Sequence, residues 1–428
     1  MITSILNSIK ENDLKYIRFQ FTDIFGYLRG VEIPSQNIET FLEEGLGVDG
    51  SSIGFLTAES SDLKLIPDKS TFKILPWNNL IGIITCDVGY SDGSELFCDP
   101  RSVLKRQLKN IKDSGYYPQV RPEIEYYILE GLSPADSAEY MDLEPFDKFG
   151  QLRRLIMDYC LKLDIPVKYG HAEVGPGQQE IELGFGDPLI SADQVQLMKQ
   201  CIRVLADQFD FQATFMPKPF PGKAGSGLHI HQRLVKDGKS VFGDKNVSNE
   251  CRYYIGGLLH YAQNITAFLN PITNSYKRMV AGHEAPVYLS WGIGNRTALI
   301  RVPGYEPSVR IEYRGADGSA NIYLTYAIQL AAGLEGINKK IIAPEPILED
   351  VSAFSKDDRE SRNIKELPNS LISALEQMEK NAFIEGIFGK DLIKIFKKRK
   401  LKECEEFDLN KNKNFGFEWE LNKYINYG

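Results

Sequence analysis

The segment Val120-Arg-Pro-Glu-Ile-Glu-Tyr-Tyr-Ile-Leu has strand composition but places Glu123 and Glu125 two residues apart. A period of two sends alternate side chains to one face of a strand, so both carboxylates share a side. The same spacing recurs three times. Gln179-Glu-Ile-Glu-Leu pairs Glu180 with Glu182, Leu228-His-Ile-His-Gln-Arg-Leu pairs His229 with His231, and Val309-Arg-Ile-Glu-Tyr-Arg aligns Arg310, Glu312 and Arg314. Four strands with a polar face are therefore predicted. A solvent-facing sheet would alternate in the same way, but such faces mix Lys, Thr and Arg with Glu. Here two strands offer carboxylates only and a third offers imidazoles only. Carboxylates held a few Å apart do not both ionise cheaply without a cation. Oxygen and imidazole donors without thiolates suit Mg²⁺ or Mn²⁺ better than zinc. The pattern predicts a multi-metal carboxylate site.

Arginines accompany these strands. The stretch from Asn274 through Arg301 supplies Lys277, Arg278, Arg296 and Arg301, to which the fourth strand adds Arg310 and Arg314. Guanidinium forks match phosphate and carboxylate oxygens, and divalent ions beside arginines are the recurring equipment of phosphoryl transfer. Neither a P-loop nor the kinase motif set is present in the sequence, so nucleotide use would have to come from another fold. The glycines of Gly222-Lys-Ala-Gly-Ser-Gly are by themselves a turn signal.

Around this centre the chain is an ordinary globular one: 428 residues, 43% hydrophobic, 25% charged, with 50 Lys+Arg against 58 Asp+Glu for a net charge of -8. That length suits two or three domains and a full apolar core. An acidic chain without a basic stripe is a poor partner for nucleic acid. The six cysteines (Cys86, Cys98, Cys160, Cys201, Cys251, Cys404) show no C-x-x-C spacing, which argues against zinc and for small buried thiols in a reduced compartment. No apolar run approaches the ~20 residues of a membrane span and the start lacks a signal-peptide core, so a cytoplasmic location is expected.

Residues 1 to about 100 read as short strands and turns, including Tyr16-Ile-Arg-Phe-Gln-Phe, Val31-Glu-Ile-Pro and Leu80 to Val88, a small α+β module. Asp99 and Pro100 form a helix-start signal before the amphipathic stretch Ser102 to Ser114. Periodicity predicts further helices over Gln151–Asp164, Ala192–Phe209, Arg252–Leu269 and Tyr323–Ile337. The basic block Lys394 to Lys402, followed at once by Glu403-Cys-Glu-Glu, reads as a solvated helix face.

Taken together, these motifs resemble the glutamine synthetase family, in its bacterial and archaeal type I branch. The resemblance spans nearly the whole chain: Val48-Asp-Gly-Ser-Ser-Ile, Pro122-Glu-Ile-Glu, His171-Ala-Glu-Val-Gly-Pro-Gly-Gln-Gln-Glu, Gly225-Ser-Gly-Leu-His-Ile-His, Asn270-Pro-Ile-Thr-Asn-Ser-Tyr-Lys-Arg, Asn295-Arg-Thr-Ala-Leu-Ile-Arg and Arg310-Ile-Glu-Tyr-Arg, in family order. It implies an α+β fold with a β-grasp-like N-terminal domain over residues 1–99. A catalytic domain over residues 100–428 follows, whose antiparallel sheet lines a funnel flanked by helices. It also implies ATP-dependent ligation of L-glutamate and ammonia through γ-glutamyl phosphate, with two or three Mg²⁺ or Mn²⁺ ions per site. Active sites would lie between subunits of a homo-oligomer, a dodecamer of two hexameric rings.

Position by position, the resemblance assigns Glu125, Glu173 and Glu180 to a metal near glutamate, and Glu123, His229 and Glu312 to one near the nucleotide phosphates. Arg278 and Arg314 would take the glutamate carboxylates, with Gly225 beside the bound amino acid. Arg296 and Arg301 would stabilise the transferring phosphoryl group, Arg310 and His231 would contact nucleotide or phosphate, and His171 would lie near the transferred phosphate. Asp49 from the adjacent subunit, with Ser52, Tyr140 and Glu284, would form the ammonium site, where a carboxylate can take the ammonium proton. Glu284 would also close the site against water.

The chain departs from the family pattern at Ala224 (usually Asn), Arg233 (usually Ser), His283 (usually Tyr) and Gly294 (often Arg), and in the run Gly315-Ala-Asp-Gly-Ser-Ala-Asn-Ile-Tyr after Arg314. These changes touch binding more than metals. They keep open a second reading, a γ-glutamyl amide synthetase using methylamine, ethylamine or a polyamine, which the retained Asp49, Tyr140 and Glu284 oppose. A non-catalytic assembly is the third reading, opposed by the intact set of charges, which are costly to bury without a ligand. Ile347 to Phe354 holds no tyrosine, so control by adenylylation is not expected.

Overall fold

The computed structural model describes residues 1–428 apart from 57–60, 281–284, 305–307, 380, 412–415 and 428. Helix α1 (Ile2–Glu11) precedes strands β1 (Tyr16–Thr22) and β2 (Leu28–Pro34); helix α2 (Ile38–Glu44) and strands β3 (Leu46–Asp49), β4 (Asp62–Pro67) and β5 (Ile81–Tyr90) follow. They form a sheet of order β2-β1-β5-β4-β3, with the two-residue strand Lys73–Ile74 also on β5. β1 runs parallel to β5. The alternation read in β1 buries Ile17, Phe19 and Phe21.

The larger sheet takes β6 (Tyr117–Glu130), β7 (Val167–Ala172), β8 (Gln178–Leu183), β9 (Leu228–Lys236), β10 (Trp291–Ile293), β11 (Ile300–Val302) and β12 (Ile311–Tyr313) in the order β10-β11-β12-β9-β6-β8-β7. It is antiparallel as expected except at one end, where β10 and β11 pair in parallel. β6 is buried from Val120 to Leu129. Its Ile124, Tyr126 and Ile128 join the main apolar core, while Tyr127 and Leu129 belong to a second cluster with Leu421, Tyr424 and Tyr427 from the C-terminus. A strand enclosed on both sides is not a solvent face, so its carboxylates sit inside the molecule.

The helices around this sheet are α3 (Pro100–Asp113), α4 (Gly150–Lys162), α5 (Pro188–Gln208), α6 (Asn249–Leu269), α7 (Ile322–Lys339), α8 (Leu371–Glu379), α9 (Ala382–Asn410, kinked at Gly389) and α10 (Gly416–Tyr424). Asp99 caps α3, its side chain accepting from Ser102 N, with Pro100 in the first turn, as the signal predicted. α5 starts four residues before the apolar periodicity does, because Asp187 caps it at Leu189 and Ile190 and Pro188 opens it. α6 and α7 cross closely: a Cβ on Gly257 would lie 2.1 Å from Ala332 O, and one on Gly336 2.2 Å from Tyr253 O. No helix among the described residues is long and apolar enough to cross a membrane. All six cysteines are buried and free.

Several polar links hold the N-terminal module to the rest. Arg101 reaches Asp193 at 2.9 Å, Asp87 at 2.7 Å and Asp68 at 2.8 Å, and Asn321, the cap of α7, donates to Asp23 O at 2.9 Å. In the basic block Lys394, Lys398 and Lys402 are exposed, but Lys400 is buried against Glu403 and Tyr427, so that helix face is only partly solvated.

Candidate active site

Register places the chemistry. Glu180 on β8 sits opposite Glu125 on β6, and Glu182 opposite Glu123. On the other side of β6, Glu123 pairs with His229 and Arg121 with His231. β9 pairs His231 with Glu312 on β12, Glu312 pairs with Arg301 on β11, and β8 pairs Glu180 with His171 on β7. Directly opposed carboxylates repel, so register alone concentrates negative charge here.

Two groups result. In the first, Glu123 stands 3.1 Å from His229 Nδ1 and 2.5 Å from His231 Nε2, and His231 Nδ1 accepts from Arg310 Nε at 3.1 Å. Glu312 accepts from Arg301 Nη1 at 2.7 Å and from Arg314, while His229 Nδ1 lies 3.9 Å away. Burial opposes the charge on Glu123, but His231 and His229 outweigh it and hold the carboxyl well below its usual range. Burial likewise opposes Glu312, and chiefly Arg314 brings it down to about 2. Glu123, His229 and Glu312 each offer a donor atom within 4.8 Å of the others.

The second group holds His171, Glu173 and Glu180, with donor atoms again within 4.8 Å of one another. His171 Nε2 is 3.5 Å from Glu180 and Nδ1 is 3.9 Å from Glu173. Glu125 faces the same space, accepting from Gly227 N at 2.8 Å and Gln178 Nε2 at 3.2 Å. Burial, then Glu125 and Glu180, raises Glu173 to about 8. Burial, with Glu123 and Glu125, raises Glu180 to about 7. Burial works against a charged His171, yet Glu180 outweighs it and lifts the imidazole to about 9. Clustered carboxylates pushed up by one another are what a divalent cation would relieve, and all donors are oxygen or imidazole. The residues therefore fit Mg²⁺ or Mn²⁺.

A cavity of about 300 Å³ opens beside these groups, lined among others by Glu125, Glu173, Glu180, Arg278, Arg296 and Arg314. Arg278 is buried, which lowers its pKa. Its Nη2 donates to Arg314 O at 3.1 Å, and its Nη1 has no partner among the described residues. A buried guanidinium nitrogen without a partner in a cavity wall suits an anion. The backbone approaches it closely: a Cβ on Gly225 would meet Arg278 Cγ at 2.7 Å, and one on Gly227 would meet His229 Nε2 at 2.6 Å and Arg278 Nη2 at 2.7 Å. Ala224 also lines this cavity.

The other expected residues range from the cavity rim to the end of β3. Arg296 is exposed at the cavity rim. Arg301 and Arg314 engage Glu312, and His231 and Arg310 form a buried relay to Glu123. Tyr140 is half exposed, its ring edge-on to His171 at 5.2 Å. Asp49 and Ser52 are at the end of β3, away from the cavity lining of their own chain. There Asp49 accepts from Ser52 Oγ at 2.5 Å and from Ser51 N and Oγ at 2.9 and 2.7 Å. Those bonds, Ser52 first, hold its carboxyl far below the usual range. Glu284 and His283 lie outside the described residues.

Four contributors escaped sequence reasoning. Arg121 meets the buried Glu182 at 2.6 Å behind the first group, Gln178 orients Glu125, and Lys218 lines the cavity. Asn274 fixes Lys218, accepting from its N at 2.8 Å and donating to its O at 3.1 Å. Only the charge at Arg121, two residues before Glu123, was a readable signal.

Comparison with known proteins identifies the family. Residues 97–424 match the family model described as the glutamine synthetase catalytic domain, and residues 13–90 its beta-Grasp domain. The glutamine synthetase of Methanosarcina mazei is 40% identical over 98% of this chain and 97% of its own; that of Thermotoga maritima is 40% identical over 99% of each. A solved GmaS/ADP complex superposes with a TM-score of 0.88 at 27% identity, covering 98% of this chain and 99% of that one. The chain belongs to the glutamine synthetase family.

Proposed function

We propose that this protein is a glutamate–ammonia ligase: it joins L-glutamate and ammonia to give L-glutamine, using ATP and a divalent metal, by way of γ-glutamyl phosphate. The observation that carries the reading is the buried Arg278, whose Nη1 has no partner among the described residues, beside the opposed carboxylates Glu125 and Glu180. One wall thus suits an amino acid carboxylate and the other a cation.

Glu125, Glu173 and Glu180 would hold one Mg²⁺ or Mn²⁺ ion and Glu123, His229 and Glu312 another. Bound there, the metal neutralises phosphate charge and polarises phosphoryl oxygens. Arg278 and Arg314, with the close backbone of Gly225, orient glutamate so that its γ-carboxylate oxygen faces the terminal phosphorus of ATP. Arg296 and Arg301 meet the charge on the phosphoryl group in flight. His171 stands near that phosphate, and His231 with Arg310 steadies Glu123 toward the nucleotide side. The carboxylate oxygen attacks phosphorus and ADP departs. Asp49 of a neighbouring subunit, with Ser52, Tyr140 and Glu284, would bind ammonium. Asp49 binds ammonium as a carboxylate, a carboxylate of this site takes its proton, and ammonia attacks the acyl carbon; phosphate departs and carries off the surplus proton of the new amide.

We place the domain boundary between residues 99 and 100, the assembly as a dodecamer and the protein in the cytoplasm. L-Glutamate labelled with ¹⁸O in its γ-carboxylate tests the route: the label should reach the released phosphate during amide formation. Phosphate without label would contradict an acyl phosphate. The second reading, transfer to a small organic amine, is favoured by one observation: Ala224, lining the cavity, replaces an amide side chain with a methyl.

A further inference from the structure

The wall that carries Arg278 is held from behind by α10. Glu420 on that helix is completely buried. Its Oε2 accepts from Lys277 Nζ at 2.5 Å and from Asn274 Nδ2 at 3.1 Å, and its Oε1 accepts from Thr273 Oγ1 at 3.3 Å. Asn274 is the residue that brackets the backbone of Lys218, and Lys277 precedes Arg278 in the single helical turn Ser275–Arg278. Two of the cavity's cations, Lys218 and Arg278, therefore hang from residues that one carboxylate holds. Tyr424, one turn further along α10, stands 2.9 Å from Thr273 Oγ1 and donates to Glu403 at 2.7 Å, so the helix itself is braced. Its hydrogen-bond partners Thr273, Asn274 and Lys277 stand behind the cavity and are not part of its lining.

We propose that Glu420 is a positioning residue for Lys218 and Arg278, setting the affinity of the site for the amino acid carboxylate. The proposal rests on the reading that this cavity takes L-glutamate. A purely structural anchor of α10 would have a different signature: loss of it lowers thermal stability and disturbs all substrates alike. A positioning role separates them, since the groups that hold Glu420 are on the Arg278 side, whereas Glu123, His229 and Glu312 stand on β6, β9 and β12.

The test uses the assembled enzyme. Wild type is first shown to release phosphate from ATP in a glutamate-dependent way; if it does not, the reading of the cavity fails and the proposal falls with it. Glu420→Gln keeps the shape and removes the charge that Lys277 meets. The apparent KM for L-glutamate should rise about tenfold or more, with KM for MgATP and kcat changing by less than about threefold. Lys277→Met should move the same parameter in the same direction. The double variant should be no worse than the more affected single one, because both act through one contact. Lys277 is 39% exposed, so its variant carries the test if Glu420→Gln does not fold. An unchanged glutamate KM, a parallel rise for glutamate and MgATP, or additive effects in the double variant would overturn the proposal.

Discussion

Glu312 concentrates the argument at the scale of single residues. It is fully buried between Arg301 and Arg314 and near His229, so its charge is matched on one side and free to meet a cation on the other. Glu312→Ala should weaken Mg²⁺-dependent ATP binding at least ~10-fold, about 1.4 kcal/mol, as measured by titration calorimetry; unchanged affinity would remove it from the metal site. Arg278→Ala should raise the apparent glutamate requirement by an amount equivalent to about 2–5 kcal/mol, the usual loss when a buried charged contact is truncated. A saturation curve that does not move would show that the cavity binds something else. The period of two was enough to find Glu123, Glu125, Glu180, His229 and Glu312, because a strand's geometry fixes which neighbours share a face. Glu173 lies just past the end of β7 and Arg278 ends a single helical turn, so neither carries such a period. Glu420 was illegible because its partners are 143 to 147 residues away in the chain, and no local pattern encodes such a contact.

Among the elements, α3 offers a pH-dependent test. Its cap, Asp99, is wholly buried, and burial, then Asp87, pushes its carboxyl up to about 7 from an ordinary 3.8. Folded protein therefore holds this proton more tightly than unfolded chain. The associated stability is fully present below pH 3.8 and is lost as pH rises through about 7. Asp99→Asn keeps a capping oxygen without the charge. Its melting temperature should exceed that of wild type at pH 8, with the advantage shrinking as pH falls to 5. An advantage independent of pH would mean that Asp99 does not titrate in this range. Helix starts show where element-level reading stopped short. Asp99-Pro100 reads as a cap, whereas at the equivalent Asp187-Pro188 the apolar periodicity begins only at Ala192, and it is the cap that sets the helix start. The edge pairing of β10 with β11 in parallel had no local signature, since three-residue strands carry too little pattern to show direction.

For the whole molecule, the position of Asp49 is decisive. It lies at the end of β3 and is not part of the cavity lining of its own chain, which is consistent with the proposal that it acts in ammonia transfer at a neighbouring subunit's site. Asp49→Ala should spare glutamate-dependent phosphoryl transfer and lower amide formation. Oligomers reassembled from equal parts of Asp49→Ala and Glu312→Ala chains should regain up to about a quarter of wild-type activity, because some sites then join two intact halves. No regain would place Asp49 in its own chain's site or outside catalysis.

The account as a whole stands on the identity of the reaction. Its most direct test is phosphate release from ATP with Mg²⁺ and L-glutamate, with ammonium, methylamine, ethylamine or a diamine supplied in parallel and the amide identified by mass. Release that depends on glutamate and is fastest with ammonium, yielding L-glutamine, is the result predicted here. Release that favours an organic amine, or that ignores glutamate, would contradict it.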